Sequence, residues 1–337
     1  MLALNLDVEV TRGELVESQH RVHAAVIGED EVLVGAARDL GLVALWRSCS
    51  KFFQVMPLIS SGGFDQLGWG DRELALACAS HGGEPEHVLL AGEMLASLGL
   101  EEGDLACGPH EPLSARGAKL WRESGQPLTR LHNNCSGKHA AMLAHAKTAG
   151  FATRGYEHAE HPVQRACVGE VSAWSGVPLD DMPLAVDGCG ATVMALPLDR
   201  MALAYARWAR AVHAGDELPA RIAGAIRRHP ELLGGTDRFD TIILQETQGA
   251  VIAKVGAEGV HSVAVPRLGL GLALKVEDGA LRAQHVAVLV ALQQLGVLPT
   301  ELPPRLAEFL TRPVRNTRGE VVGEVRAAAG AVRHASH

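Results

Sequence analysis

The sequence predicts a mixed α/β protein of the α+β type, with an antiparallel sheet flanked by helices and a helical lobe beside it. Three observations carry this. The chain begins with β-branched apolar runs broken by a short polar turn. Its middle is a series of capped segments with helical spacing. It closes on three short apolar runs joined by tight turns. Strands joined by short turns pair antiparallel, so the strands of the two ends are expected to share one sheet, with helices covering its faces. The expected organisation is a single domain over 1–330 made of two interleaved lobes. The sheet lobe takes about 1–45 and 245–330, the helical lobe about 46–244, and 331–337 is expected to be a disordered tail.

The opening hairpin is read from Val16 to Ile27, a turn at Gly28-Glu29-Asp30-Glu31, and a return over Val32 to Gly35. Asp71 is the expected cap of a helix from Arg72 to Ala79. Glu84 to Leu98 has helical spacing and stops at Gly99. Ser136 is the expected cap of a helix over Gly137 to Ala149, closed by Gly150. His161 to Trp174 carries Pro162 in its first turn, where a missing N–H does no harm, and stops at Gly176. Asp199 to His213 is a further amphipathic helix. Strands return over Ala250 to Val255, His261 to Val265 and Gly271 to Val276, with turns at Gly256-Ala257-Glu258-Gly259 and Glu277-Asp278-Gly279. A last helix covers Arg282 to Leu295 and ends at Gly296.

Composition narrows the function. At 337 residues, 47% apolar and 21% charged, the chain has the balance of a soluble enzyme with a large core. Aromatics make up 4%, too few for base-stacking platforms. A net charge of −8 and a pI of about 6.1 offer no basic patch for nucleic acid or an anionic membrane. The start of the chain is acidic and alternates apolar with polar, unlike a signal peptide. No apolar run reaches the ~20 residues of a membrane span. The cytoplasm is the expected compartment. The six cysteines, Cys49, Cys78, Cys107, Cys135, Cys167 and Cys189, are therefore expected as thiols or metal ligands.

The segment Arg47-Ser48-Cys49-Ser50-Lys51-Phe52-Phe53 contains S-x-x-K. If a helix starts near Ser48, residues three apart lie on one face, and the Lys51 amine can touch the Ser48 hydroxyl. A serine needs a base to become a nucleophile, and a lysine serves when burial leaves it neutral. Phe52 and Phe53 are candidates for that dry surrounding. In isolation the pattern also describes a polar helix start with a solvated lysine. Two further features bear on the choice. Lys254 interrupts the apolar run Ala250-Val251-Ile252-Ala253 and forms a K-x-G with Gly256, or it faces water from a strand edge. Ser80, in Ala79-Ser80-His81-Gly82-Gly83, is a second polar element or an ordinary serine at a helix end. S-x-x-K, then serine, then K-x-G on a C-terminal strand is the motif order of the serine β-lactamase and penicillin-binding fold, although no S-D-N follows the first motif.

Three longer blocks add a resemblance. Trp46-Arg47-Ser48-Cys49-Ser50-Lys51, Leu131-His132-Asn133-Asn134-Cys135-Ser136-Gly137-Lys138-His139 and Asp187-Gly188-Cys189-Gly190 resemble the signatures of the rhizobial-type (class 3) bacterial L-asparaginases, along a stretch from about Val16 to Gly323. The resemblance implies a serine β-lactamase-like fold, a homodimer, and hydrolysis of L-asparagine to L-aspartate and ammonia. It implies two serine–lysine pairs, Ser48 with Lys51 and Ser80 with Lys254. Ser48 is then the nucleophile and Lys51 its base, while Ser80 and Lys254 relay protons and orient Ser48. Two ammonium groups close together depress each other's pKa, which favours a neutral base. Oxyanion donors are expected at the Ser48 N–H and at an N–H near Gly249 or Lys254, the latter by analogy with the fold. Arg47, beside the nucleophile, is a candidate for the substrate carboxylate, or pairs with an acid at the surface.

A metal site is the remaining expectation. Cys135 stands at a helix start and Cys189 in a glycine-flanked turn, and two thiolates from separate segments suit zinc. The chemistry alone names Cys135, Cys189 and His139, because a lysine must lose a proton to bind. The resemblance instead implies Lys138 as third ligand, with Asp187 holding a metal-bound water and His139 lining the substrate pocket. Zinc is expected to tune substrate binding, since Ser48 already supplies a nucleophile. Otherwise both cysteines are ordinary buried thiols, as Cys49, Cys78, Cys107 and Cys167 are expected to be. His158 and His161 are read as a solvated helix entry. Rival readings are a glutaminase, a β-lactamase-like Ser-Lys hydrolase, and a non-catalytic zinc-binding protein of the same fold.

Overall fold

Val22–Ile27 and Leu33–Ala37 form the hairpin expected at the start of the chain, antiparallel from Ala24↔Ala37 to Ile27↔Leu33. The structure, a computed structural model, describes residues 1–329. The expected tail at 331–337 lies outside the described residues. On the other side of Val22–Ile27 runs Leu270–Val276, antiparallel in the register Gly271↔Ile27 to Val276↔Val22. Val260–Val265 and Ile252–Val255 follow, and Leu2–Ala3 joins the far edge parallel to Leu33–Ala37. Strands from both ends of the sequence thus share one six-stranded sheet.

The stretch read as one strand from Val16 is two strands, broken at Arg21. Val22–Ile27 is apolar except for His23 and almost wholly buried, whereas Leu15–His20 carries Glu17-Ser18-Gln19 and is largely exposed. The polar part leaves the buried sheet and pairs with Val8–Arg12. Together with Val321–Ala327 and Arg312–Arg315 it makes a second, four-stranded antiparallel sheet.

The chain divides into two units. Among the described residues the first comprises 1–44, 196–210 and 253–329, and the second 45–195 and 211–252. Residues 196–210, within the span read as helical lobe, go with the sheet. Gly271 shows why. A Cβ there would run into the Ala202 carbonyl and the Ala206 amide of the helix Leu198–Ala214, so this helix rests directly on strand backbone. The helix Leu281–Gln294, buried along most of its length, packs on the same sheet.

The second unit is built on Asp71–Ala77, Pro85–Ser97, Ser136–Thr148, Pro162–Ser175, Glu217–Arg228 and Phe239–Glu246. Two expected caps move by one residue. Asp71 is the first helical residue rather than the cap. Gly70 precedes it, donating its N–H to the Glu73 carboxylate at 2.8 Å, while Asp71 accepts from Arg228 at 2.5 Å. Likewise Cys135, not Ser136, is the N-cap residue of Ser136–Thr148, because the Ser136 hydroxyl is occupied by the Leu131 carbonyl at 3.1 Å. Among the described residues no helix is long and apolar enough to cross a membrane.

Candidate functional site

Arg47–Ser50 is a single 3-10 turn that continues as the α-helix Lys51–Gln54, and the Lys51 N–H donates to the Ser48 carbonyl. Such a turn eclipses residues three apart. It opens on strained backbone: Arg47 has φ 52°, a left-handed conformation costing about 1–2 kcal/mol for a residue with a Cβ. The Arg47 side chain is held by Asp187, with Nε donating to Oδ1 at 2.5 Å. Arg47 therefore pairs with an acid within the site and not at an open surface.

Lys51 is 1% exposed. Phe52, Phe53 and Trp46 are fully buried, with Phe53 stacked on Trp46 at 5.1 Å. Lys51 Nζ donates to the Ala79 carbonyl, to Ser80 Oγ at 3.2 Å and to Cys135 Sγ at 3.2 Å. Three acceptors match the three N–H bonds of an ammonium. Among the described residues the amine meets no carboxylate. The Ser48 hydroxyl, half-buried, makes no hydrogen bond among the described residues. The expected Ser48–Lys51 contact is thus not formed, because the buried Ala79 carbonyl and the Cys135 sulfur draw the amine toward Ser80.

Ser80 follows the helix Asp71–Ala77 and is buried, its N–H donating to the Leu233 carbonyl at 3.0 Å. The next residue, which no motif singles out, locks this segment to Cys135. His81 N–H donates to the Asn134 carbonyl at 3.1 Å. Its Nδ1 accepts from the Gly83 N–H at 3.1 Å, which leaves Nε2–H to donate to Ser136 Oγ at 2.8 Å. Lys254 lies in the sheet unit on Ile252–Val255. It is completely buried, not a water-facing edge lysine, and Nζ donates to the Val255 carbonyl at 3.0 Å. The expected N–H donor at Gly249 is taken. With φ 78° Gly249 closes the helix Phe239–Glu246, and its N–H donates to the Leu244 carbonyl at 2.7 Å.

The thiols converge. One ligand atom each from Cys135, Cys189 and Asp187 lie within 4.8 Å of one another. Lys138, one turn into the helix that Cys135 caps, donates Nζ to Cys189 Sγ at 3.0 Å. Asp187 and Cys189 share a tight loop in which the Gly190 N–H returns to the Asp187 carbonyl at 2.8 Å and Gly190 takes φ 87°. The S–H of Cys135 points at Cys189, and with the Lys138 charge this outweighs burial and brings the Cys189 thiol down to about 6. Cys135, which keeps the proton, is pushed up to about 12 by that bond and by burial. Burial raises the Asp187 carboxyl, but the Lys138 and Arg47 charges prevail and hold it below the usual range. Burial lowers the Lys138 amine, yet the sulfurs and Asp187 outweigh it and raise it. Cys189 Sγ is also 3.3 Å from Asp187 Oδ2. Cys189 cannot be the thiolate that Lys138 stabilises and also donate to Asp187, and we take the thiolate because the ammonium is closer. The cluster is therefore two sulfurs and a carboxylate, each met by a different basic side chain, Lys51 at Cys135, Lys138 at Cys189 and Arg47 at Asp187, and the sulfurs and carboxylate are a donor set that fits zinc.

His139 stands apart from the sulfurs. Its Nδ1 lies 2.6 Å from the Tyr156 hydroxyl, so among the described residues Asp187, not His139, completes the sulfur pair. Burial first, then the Lys138 charge, pushes the imidazole down to about 3 and keeps it neutral. All six cysteines are buried and none is in a disulfide among the described residues, and burial pushes Cys107 and Cys167 up to about 12. His161 is a helix cap, Nδ1 accepting from the Val163 N–H at 3.2 Å, and His158 is exposed.

Among solved structures the chain is similar to "Crystal Structure Analysis of Mglu", with a TM-score of 0.44 and 14% identity over 83% of this chain and 69% of that one. It is also similar to a Bacillus glutaminase, with a TM-score of 0.39 and 13% identity over 82% of this chain and 91% of the other. Both likenesses are weak. A search of curated proteins finds no match. Residues 8–327 match the family model described as L-asparaginase II. The chain belongs to the L-asparaginase II family, a family of amidohydrolases.

Proposed function

We propose that the protein hydrolyses L-asparagine to L-aspartate and ammonia, as an asparaginase of the rhizobial type with a serine β-lactamase-like fold. One observation carries the reading within this site: Lys51 is buried beside a serine and a thiol and, among the described residues, meets no carboxylate. A lysine is placed so at the cost of desolvation, and such groups cluster at functional sites. Ser48 is the better nucleophile on access. It is half-buried and its hydroxyl is uncommitted, whereas Ser80 is buried and already accepts from Lys51.

In the proposed reaction Lys51 sheds its ammonium proton to solvent, turns from its present acceptors to Ser48 and takes the Ser48 proton as Ser48 Oγ adds to the side-chain amide carbon. That proton goes to the departing nitrogen, ammonia leaves, and water hydrolyses the ester. Ser80 is the hydroxyl through which Lys51 is held, and Lys254 is assigned to the second pair. Cys135, Lys138 and Cys189 would hold zinc, which would supply positive charge for binding the substrate. Arg47, His139 and Asp187 line the substrate side. Arg47 and Asp187 neutralise each other, so neither is a free charge for the substrate until the pair opens.

The test is ammonia release from asparagine by the wild type, Ser48→Ala and Lys51→Ala, with folding followed by circular dichroism. Both variants should fold and lose nearly all turnover; wild-type rates in either would refute the assignment. A second reading makes Ser80 the nucleophile, favoured by its 3.2 Å contact with Lys51. Mass spectrometry of the trapped acyl-enzyme decides between the two serines. Turnover of glutamine instead of asparagine would favour the glutaminase, and turnover of neither the non-catalytic zinc protein.

A further inference from the structure

The His139–Tyr156 pair contains a hydrogen-bond count that does not close within the protein. His139 is fully buried on the helix Ser136–Thr148, and Tyr156 is 1% exposed. The rings meet edge to face with centroids 5.6 Å apart. Tyr156 is fixed at both ends. Its carbonyl accepts from Gln164 Nε2 at 2.9 Å, and its hydroxyl accepts from the Ala106 N–H at 2.9 Å. A phenol has one hydrogen to give. Among the described residues its acceptor is His139 Nδ1, 2.6 Å away. The reverse assignment, with Nδ1–H donating, would leave the phenol hydrogen without an acceptor in a buried place. An imidazole that accepts at Nδ1 carries its proton on Nε2. Nε2 is buried and has no hydrogen-bond partner among the described residues.

We infer that Tyr156 is a positioning residue that fixes His139 in the Nε2–H tautomer, so that the ring offers one unspent donor to an oxygen of the bound substrate. This rests on the reading of the site as an amide hydrolase that binds an amino acid, whose carboxylate and amide oxygens are acceptors. The buried donor is costly in the free protein and is satisfied when such an oxygen arrives. Tyr156 does not touch substrate; it acts through His139.

The experiment is nitrogen NMR of the full chain labelled at histidine, with the His139 signals assigned by their loss in His139→Asn. In the wild type, without substrate, His139 should show a protonated Nε2 and a bare Nδ1. In Tyr156→Phe the tautomers should mix, KM for asparagine should rise about tenfold, and kcat should change by less than about twofold. A wild-type spectrum with the proton on Nδ1 overturns the inference even if the variant fails to fold. So does a Tyr156→Phe protein that keeps both the spectrum and the KM. A chain that shows the Nε2–H tautomer but releases no ammonia from asparagine defeats the proposed function and leaves the role of Tyr156 standing.

Discussion

Lys138 balances the charge of the sulfur cluster, and this sets what each ligand substitution should do. Its amine lies 3.0 Å from Cys189 Sγ, where a metal bound by the two thiols would compete with its proton. Under the zinc assignment Cys135→Ala should lower the zinc content of the purified protein and raise KM by about tenfold, with a smaller effect on kcat. Elemental analysis and steady-state kinetics check this, and unchanged zinc would remove the site. Cys135 and Cys189 were legible from their residue type, whereas Lys138 and Asp187 came only with the family resemblance, since chemistry alone puts His139 beside the two sulfurs. His81 and Tyr156 were not legible. Neither stands in a motif of known chemistry, and each acts through a bond to a residue far along the chain: His81 to Ser136, Tyr156 to Ala106 and His139. Tyrosine occurs only twice in the chain. That scarcity was the one available sign, and it names no partner.

Gly137 decides how the helix carrying Cys135, Lys138 and His139 meets the helix before Ser80. A Cβ at Gly137 would strike the Leu76 carbonyl and lie 2.6 Å from its Cγ. The backbones of Asp71–Ala77 and Ser136–Thr148 therefore approach as only glycine allows, and this brings Cys135 Sγ within 3.2 Å of Lys51 Nζ. Gly137→Ala should destabilise the fold by about 1–3 kcal/mol, read as a melting temperature several degrees lower. It should also weaken turnover, since it separates the two helices at the site. A melting curve that overlays the wild type would show that the crossing has slack. Helix positions could be read from glycines, prolines and spacing, and the structure has helices at each such place. The caps could not, because Asp71 and Ser136 had other partners waiting, Arg228 and the Leu131 carbonyl, that no local pattern reveals.

For the stability of the whole molecule, the buried histidines beside the site predict acid lability. His81 and His87 stack at 4.9 Å, and both donate from Nε2, His87 to the Glu231 carbonyl at 2.9 Å. Burial lowers both, His81 further because His87 and Lys51 are near. The unfolded chain, with histidines near their ordinary value of about 6.5, then binds more protons than the native protein, so stability rises with pH. The contribution is complete above that value and is lost as pH falls below it, well before the carboxylates titrate. The melting temperature should drop between pH 7.5 and pH 5.5; a flat profile across that window would contradict the neutral assignment. By itself the sequence determined the order of the main elements, the shared sheet of its two ends and the residue types of the site. Apolar period, turn residues and short connections are local properties and act wherever they occur. The tertiary structure alone decided which hydroxyl the buried amine meets, which group completes the sulfur pair and which nitrogen of His139 is left to donate. Those outcomes depend on competition among acceptors brought together from distant parts of the chain, and a buried donor takes the partner that packing places within reach.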